Sequence, residues 1–188
     1  MNGIVACRCG VAAALLVAGA WAGEFRVPLM VRPPAIDGVV RPEEWSVSAG
    51  FDGFQFEGSL RQRRARGFVG ATRDALYVAI VSRLPDEGAL LSAVTADSLK
   101  AVYDDSVEVY VSPDPRAERR VTYQFLVNSL GKGGYNVHLL GGANEEPSWR
   151  GGWEQAHGFH GGFWHFECRI PVSSMSVAPG RSTTDGLW

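Results

Sequence analysis

Apolar and polar residues alternate along much of this chain with a period of two, the spacing that sends successive side chains to opposite faces of a β-strand. From Ser106 to Ser112, Val107, Val109 and Val111 point one way while Ser106, Glu108, Tyr110 and Ser112 point the other. From Thr122 to Asn128, Tyr123, Phe125 and Val127 oppose Thr122, Gln124, Leu126 and Asn128. From Trp164 to Ile170, Trp164, Phe166, Cys168 and Ile170 oppose His165, Glu167 and Arg169. Leu76 to Ser82 differs: it is apolar on both faces, as a central strand covered from two sides must be. Arg73-Asp74 before it reads as a turn back to Gly67–Thr72, which makes a hairpin.

Helical signals are few. Pro42-Glu43-Glu44 can open one short turn, with proline and acids at its N-terminal end, and Ser173 to Val177 another. No stretch of ten residues keeps a 3.6 period. Short strands separated by turns every eight to twelve residues predict an all-β fold, two antiparallel sheets packed as a sandwich. The core then comes from Leu76, Val78, Ile80, Val107, Val109, Val111, Trp164, Phe166 and Ile170. Neither an internal repeat nor a second domain is visible.

The first 22 of the 188 residues belong to a different class. Arg8 is followed by a small apolar run from Val11 to Ala20, and Ala20-Trp21-Ala22 has the small-x-small form of a signal-peptidase site. The run is about ten residues, where a membrane-spanning helix needs roughly 20. The expectation is a cleaved leader over 1–22, a mature domain over 23–188, no membrane span, and a secreted, periplasmic or cell-surface protein. Loss of Arg8 moves the formal net charge from −2 to −3. Such weak acidity argues against a nucleic-acid partner, which needs a basic face. Arg61, Arg63, Arg64 and Arg66 read as a solvated loop. Only Cys168 remains after cleavage, so no intramolecular disulfide can form.

Ten of the 23 glycines fall between Gly131 and Gly162. This stretch reads as loops and hairpins. It also carries Tyr135, His138, Trp149, Trp153, His157, Phe159 and His160, and aromatic rings on glycine-rich loops suit ligand contact better than core packing.

Six segments in order carry a resemblance: AIDGVVRPEEW (Ala35–Trp45), DALYVAIVS (Asp74–Ser82), YDDSVEVYVSPDP (Tyr103–Pro115), YQFLVNSLG (Tyr123–Gly131), SWRGGWEQA (Ser148–Ala156) and FWHFECRIPVSSM (Phe163–Met175). Together they resemble the family 9 carbohydrate-binding modules and their DOMON-like relatives. The resemblance implies an immunoglobulin-like or jelly-roll-like sandwich, a sugar gripped between tryptophan faces, and in some members structural calcium. Family members continue past their Gly-Leu-Trp stretch with a further strand, so it also implies a fragment, or a domain with an uncovered sheet edge and part of its site missing.

Trp149 and Trp153 are the first candidates for sugar contact, because C–H faces of sugar rings pack well on indole; Tyr110 and Tyr135 follow. Glu108, Gln124, Asn128, Glu167 and Arg169 project from strands opposite apolar sets. They would orient hydroxyls if their strands are neighbours, or form a solvated face if not. Asp104 and Asp105 are the candidate calcium ligands, although no DxDxDG loop is present. Asp37-Gly38 with Trp45 reads as a turn and a ring closing one end of the core. The four histidines lack the spacing of a zinc site. The chain has neither GxSxG nor a phosphate loop, and Glu108 with Glu167 is the one conceivable glycosidase pair. Haem binding, the alternative from the DOMON-like relatives, would need Met30, Met175 or a histidine facing a shared pocket. The function expected is non-catalytic carbohydrate binding.

Overall fold

The computed structural model describes residues 26–52, 64–113, 121–139 and 151–175, together with the backbone of three short pieces of strand outside them. Among the described residues eleven strands run in chain order: β1 (Ile4–Ala6), β2 (Ala49–Asp52), β3 (Gln55–Phe56), β4 (Ser59–Leu60), β5 (Ala65–Ala71), β6 (Ala75–Arg83), β7 (Ser106–Val111), β8 (Val121–Asn128), β9 (Gly133–Leu139), β10 (Glu154–His160) and β11 (Phe163–Pro171). Two antiparallel sheets face each other. One has five strands in the order β10-β11-β6-β5-β2, and the other is built on β7, β8 and β9. β1, from the segment read as a leader, lies parallel beside β7, and β3 pairs with β4 in a small hairpin. Helical structure among the described residues is limited to 3-10 turns at Leu99–Tyr103 and Val172–Ser174.

The alternation read from the sequence sets the register. Val107, Val109, Tyr123, Phe125 and Val127 meet Leu76, Val78, Ile80, Trp164, Phe166, Cys168 and Ile170 between the sheets. Burying such side chains stabilises by about 1.5–3 kcal/mol each. Val111 is only partly buried at the margin of this core.

β6 is apolar on its second face too, and that face has its own cover. Met30, Val40 and Trp45 pack on Ala75, Tyr77 and Ala79 as a second core. Trp45 therefore does not close one end of the sandwich, as expected from the sequence. It lies over the outside of the five-stranded sheet, in a series of turns held by hydrogen bonds from Glu44 N and Trp45 N to Arg41 O. The glycine-rich region, read as loops and hairpins, holds β9 and β10, which pair antiparallel with β8 and β11.

Both cores share β6, so they are expected to unfold together. Trp45→Ala should cost about 3–5 kcal/mol, the range for deleting a large buried aromatic. Phe166→Ala in the main core should cost a similar amount. Urea denaturation of each variant should show one transition with its midpoint lowered; a separate early transition in Trp45→Ala would show that the outer core melts alone.

Candidate functional site

With the valines of β7 and the aromatics of β8 turned into the core, the residues between them must face outward. Tyr110 stands opposite Gln124 in the register, and Gln124 opposite Asn136. On this outer face Glu108 Oε2 accepts hydrogen bonds from Tyr110 Oη at 2.7 Å and from Gln124 Nε2 at 2.6 Å. Gln124 Oε1 meets His138 Nε2 at 2.8 Å. The amide nitrogen is committed to the carboxylate, so its oxygen must accept and His138 Nε2 must carry the proton. Imidazole, amide, carboxylate and phenol thus form one chain in which the donors run toward Glu108 from both sides, from His138 through Gln124 and from Tyr110. Glu108 and Gln124 are 4% and 6% exposed, whereas Tyr110 is 37% exposed, so the chain is anchored below and reaches solvent above. The Tyr110 and His138 rings lie 5.9 Å apart. The sequence places His138 among the aromatics of the glycine-rich loops and hairpins, and the structure puts it on this face. The alternation of Gly134, Asn136 and His138 with Tyr135 and Val137 carried the signal.

Asn128 lies in the same sheet but is spent internally. Its Nδ2 donates to Val94 O and Asp104 Oδ2, and its Oδ1 accepts from Leu130 N and Lys132 N. Asp104 accepts from Ala93 N and Val94 N, and Asp105 from Leu91 N. Burial works to raise the Asp104 carboxyl, but the Asn128 amide and the two backbone N–H groups outweigh it and hold the group below its ordinary value. Carboxylates surrounded by N–H donors do not fit calcium, which needs six to eight oxygens turned toward it. No group of three or more His, Cys, Asp or Glu that could hold a metal occurs among the described residues. Asp104 and Asp105 instead pin the segment at 91–94 against the sheet.

Glu167 and Arg169 belong to the other sheet. The Glu167 carboxylate is fully buried beneath the N-terminal segment, accepting from Trp45 Nε1 at 3.0 Å, Gly38 N at 3.0 Å and Asp37 N at 3.3 Å. Burial pushes this carboxyl above its usual value, against the pull of those donors. Gly38 has φ +84°, and a Cβ there would sit 2.7 Å from the His157 backbone, so the Asp37-Gly38 turn needs glycine. Arg169 donates to Tyr77 Oη and Asp74 Oδ2. The polar strand residues grouped in the sequence reading are therefore divided between two sheets. Glu108 and Glu167 point away from each other on opposite outer faces. Packed sheets are about 10 Å apart before the side chains are counted, so these carboxyls cannot flank one glycosidic bond. Met30 and Met175 are separated in the same way, one in the outer core and one between the sheets. They share no pocket for a haem.

Trp153 and Tyr135 come together at the side of the sandwich where β9 and β10 form its edges. Their rings are 6.3 Å apart, and Trp153 also packs on Phe125 at 5.3 Å and Phe166 at 5.9 Å. These rings are thus partly core, contrary to the expectation of rings held on loops, while both also line a cleft. Trp149 lies outside the described residues.

No family model and no curated protein matches the chain. Solved structures do. The chain is similar to a family 9 carbohydrate-binding module from Caldicellulosiruptor kristjanssonii in complex with glucose, with 20% identity, a TM-score of 0.52, and 78% of this chain and 68% of that one covered. The cellotriose complex from the same organism gives 20% identity and a TM-score of 0.51, covering 78% and 67%. A candidate carbohydrate-binding protein from Bacteroides uniformis gives 15% identity and a TM-score of 0.56, covering 81% and 74%. At these identities the likeness is one of fold. No helix among the described residues is long and apolar enough to cross a membrane.

The N-terminal cover carries a pH dependence. His165 Nδ1 accepts from Val40 N at 3.1 Å, which requires an unprotonated Nδ1. Burial, and then the neighbouring His160, hold the His165 pKa below its ordinary value of 6.5. The unfolded chain therefore binds the proton first as pH falls, and this contribution to stability, present above the ordinary value, is lost as pH drops below it. His157, lowered by burial, adds in the same direction. Glu167, raised by burial under the same cover, works in the opposite direction, so the test is the difference between proteins. From pH 7.5 to pH 5 the urea midpoint of His165→Asn should change less in the destabilising direction than that of the parent, and equal slopes in the two proteins would remove His165 from this role.

Proposed function

We propose that this protein is an exported, non-catalytic carbohydrate-binding module, and that the outer face of β7, β8 and β9 is its sugar site. The observation that carries this reading is the connected chain Tyr110–Glu108–Gln124–His138. Sugar recognition needs planar polar groups held in fixed directions, with an apolar surface beside them for the C–H face of the ring. Here each polar group is aimed by the next, and rigid strands carry all of them. Tyr110 and His138 supply ring surface. The sandwich shared with modules that bind glucose and cellotriose supports the same class of ligand.

A shallow site of this kind should bind with micromolar to millimolar affinity, about −8 to −4 kcal/mol. Calorimetric titration with glucose and with cellotriose is the test. Glu108→Gln keeps the shape but replaces a charged acceptor, and should weaken binding by roughly 10- to 100-fold, the scale of one hydrogen bond to a charged group. His138→Ala should weaken it by a smaller factor with little change in melting temperature. Unchanged affinity in both variants would place the site elsewhere, and no binding of either sugar by the parent would overturn the carbohydrate reading.

Export has its own measurement. Material recovered from outside the cytoplasm should begin at Gly23 on N-terminal sequencing, after cleavage behind Ala22. A cytoplasmic product beginning at Met1 would contradict it.

A further inference from the structure

The sandwich has a second opening, beside the outer face of β7, β8 and β9 and sharing Leu126 and Gly134 with it. It lies where the edge strands β9 and β10 leave the space between the sheets uncovered, and it encloses about 500 Å³. That volume falls within the 300–1,000 Å³ common for small-molecule sites. Its walls are the segment entering the first 3-10 turn at Asp97 and Ser98, the β8–β9 connection from Gly131 to Gly134, and the start of β10. Trp153 and Tyr135 form its aromatic lining.

Two features separate this opening from an ordinary gap at a sheet edge. Gln155 pairs with Cys168 in the β10–β11 register, so its side chain points toward the space between the sheets, where the pattern elsewhere places apolar residues. Among the described residues its Nε2 makes only a long bond to Gly131 O at 3.4 Å, and its buried Oε1 has no hydrogen-bond partner. A buried acceptor left in that state is unfavourable and is usually satisfied by some donor. The opening also has a mixed rim. Asp97 and Lys132 bring opposite charges and Ser98 a hydroxyl, so the lining as a whole favours neither an anion nor a cation. The backbone side of the wall is held fixed: a Cβ on Gly133 would lie 1.7 Å from Leu126 O, so the strands approach as closely there as glycine allows.

We propose that this cleft is a second binding site for a small, uncharged, polyhydroxylated molecule, a single sugar ring being the size that fits. The ring lies against Trp153 and Tyr135, one hydroxyl donates to Gln155 Oε1, and others reach Asp97 and Lys132 at the rim. In naming the ligand a sugar, the proposal rests on the carbohydrate reading above; its site and residues do not depend on that face. Together the two sites would let one domain engage two rings.

The test is a glucose titration of the ¹⁵N-labelled protein followed by NMR, with Gln155→Leu and Glu108→Gln alongside. Leucine matches glutamine in bulk, and the melting temperature of each variant checks its fold. The amide signals of Gly131 and Gly133 and the Gln155 side-chain NH₂ report on the cleft, and the Gln124 side chain on the outer face. Both sets should shift in the parent, with their own midpoints. Gln155→Leu should weaken the cleft response about tenfold, the loss of one neutral hydrogen bond, and leave the Gln124 response intact. Glu108→Gln should do the reverse. If only the Gln124 set moves, the cleft proposal falls and the carbohydrate reading stands. Movement of the glycine set alone supports the cleft and removes the outer face as the sugar site. A glycine-set response that Gln155→Leu leaves unchanged in a folded variant overturns the assigned cleft residues, and no movement of either set overturns both readings.

Discussion

Strand β6 has no polar face, and both of its sides must be shielded from water. One side is covered by β7, β8 and β9 across the main core. The other is too apolar to leave in solvent, and residues 26–48 fold back over it through Met30, Val40 and Trp45. Much else follows from that cover. Glu167, next to β6 on β11, is caught beneath it and survives as a buried carboxyl because Trp45, Gly38 and Asp37 each present a donor. Removing one donor from such a buried carboxyl is expected to cost about 1.5–3 kcal/mol, the scale of a hydrogen bond to a charged group.

This asymmetry decides where ligand recognition can occur. The five-stranded sheet has both faces occupied, so its outward polar residues become ties: Arg169 to Tyr77 and Asp74, His165 to Val40. Among the described residues the smaller sheet has no equivalent apolar cover. Part of its outer face lies under the turn at Leu99–Tyr103, and the rest carries Glu108, Gln124, Tyr110 and His138. Residues with the same period-two signature thus serve opposite ends, structural on one sheet and available for recognition on the other.

The side of the sandwich between β9 and β10 is the third kind of surface. Trp153 and Tyr135 partly fill the opening, and Gln155 keeps a polar atom within it. The rings therefore belong to the core and to the cleft at once. Substituting Trp153 would confound stability with binding, whereas Gln155 can be changed with less consequence for packing.

The strands, their inward faces and the two-sheet architecture were legible in the sequence, because period-two alternation is a local property and one buried face per strand determines the register. The doubly apolar run at Leu76–Ser82 even announced a strand covered on both sides. Sequence alone could not say what would cover it, since Trp45 and Glu167 are 122 residues apart and meet only when the chain closes. For the same reason Glu108 and Glu167 looked equivalent: alternation reports that a side chain faces away from its own core, not which sheet it leaves or what lies above it. Candidate residues came from chemistry and spacing, while their division into ties, recognition groups and cleft lining was decided by tertiary structure, because burial and hydrogen-bond partners are properties of assembled surfaces.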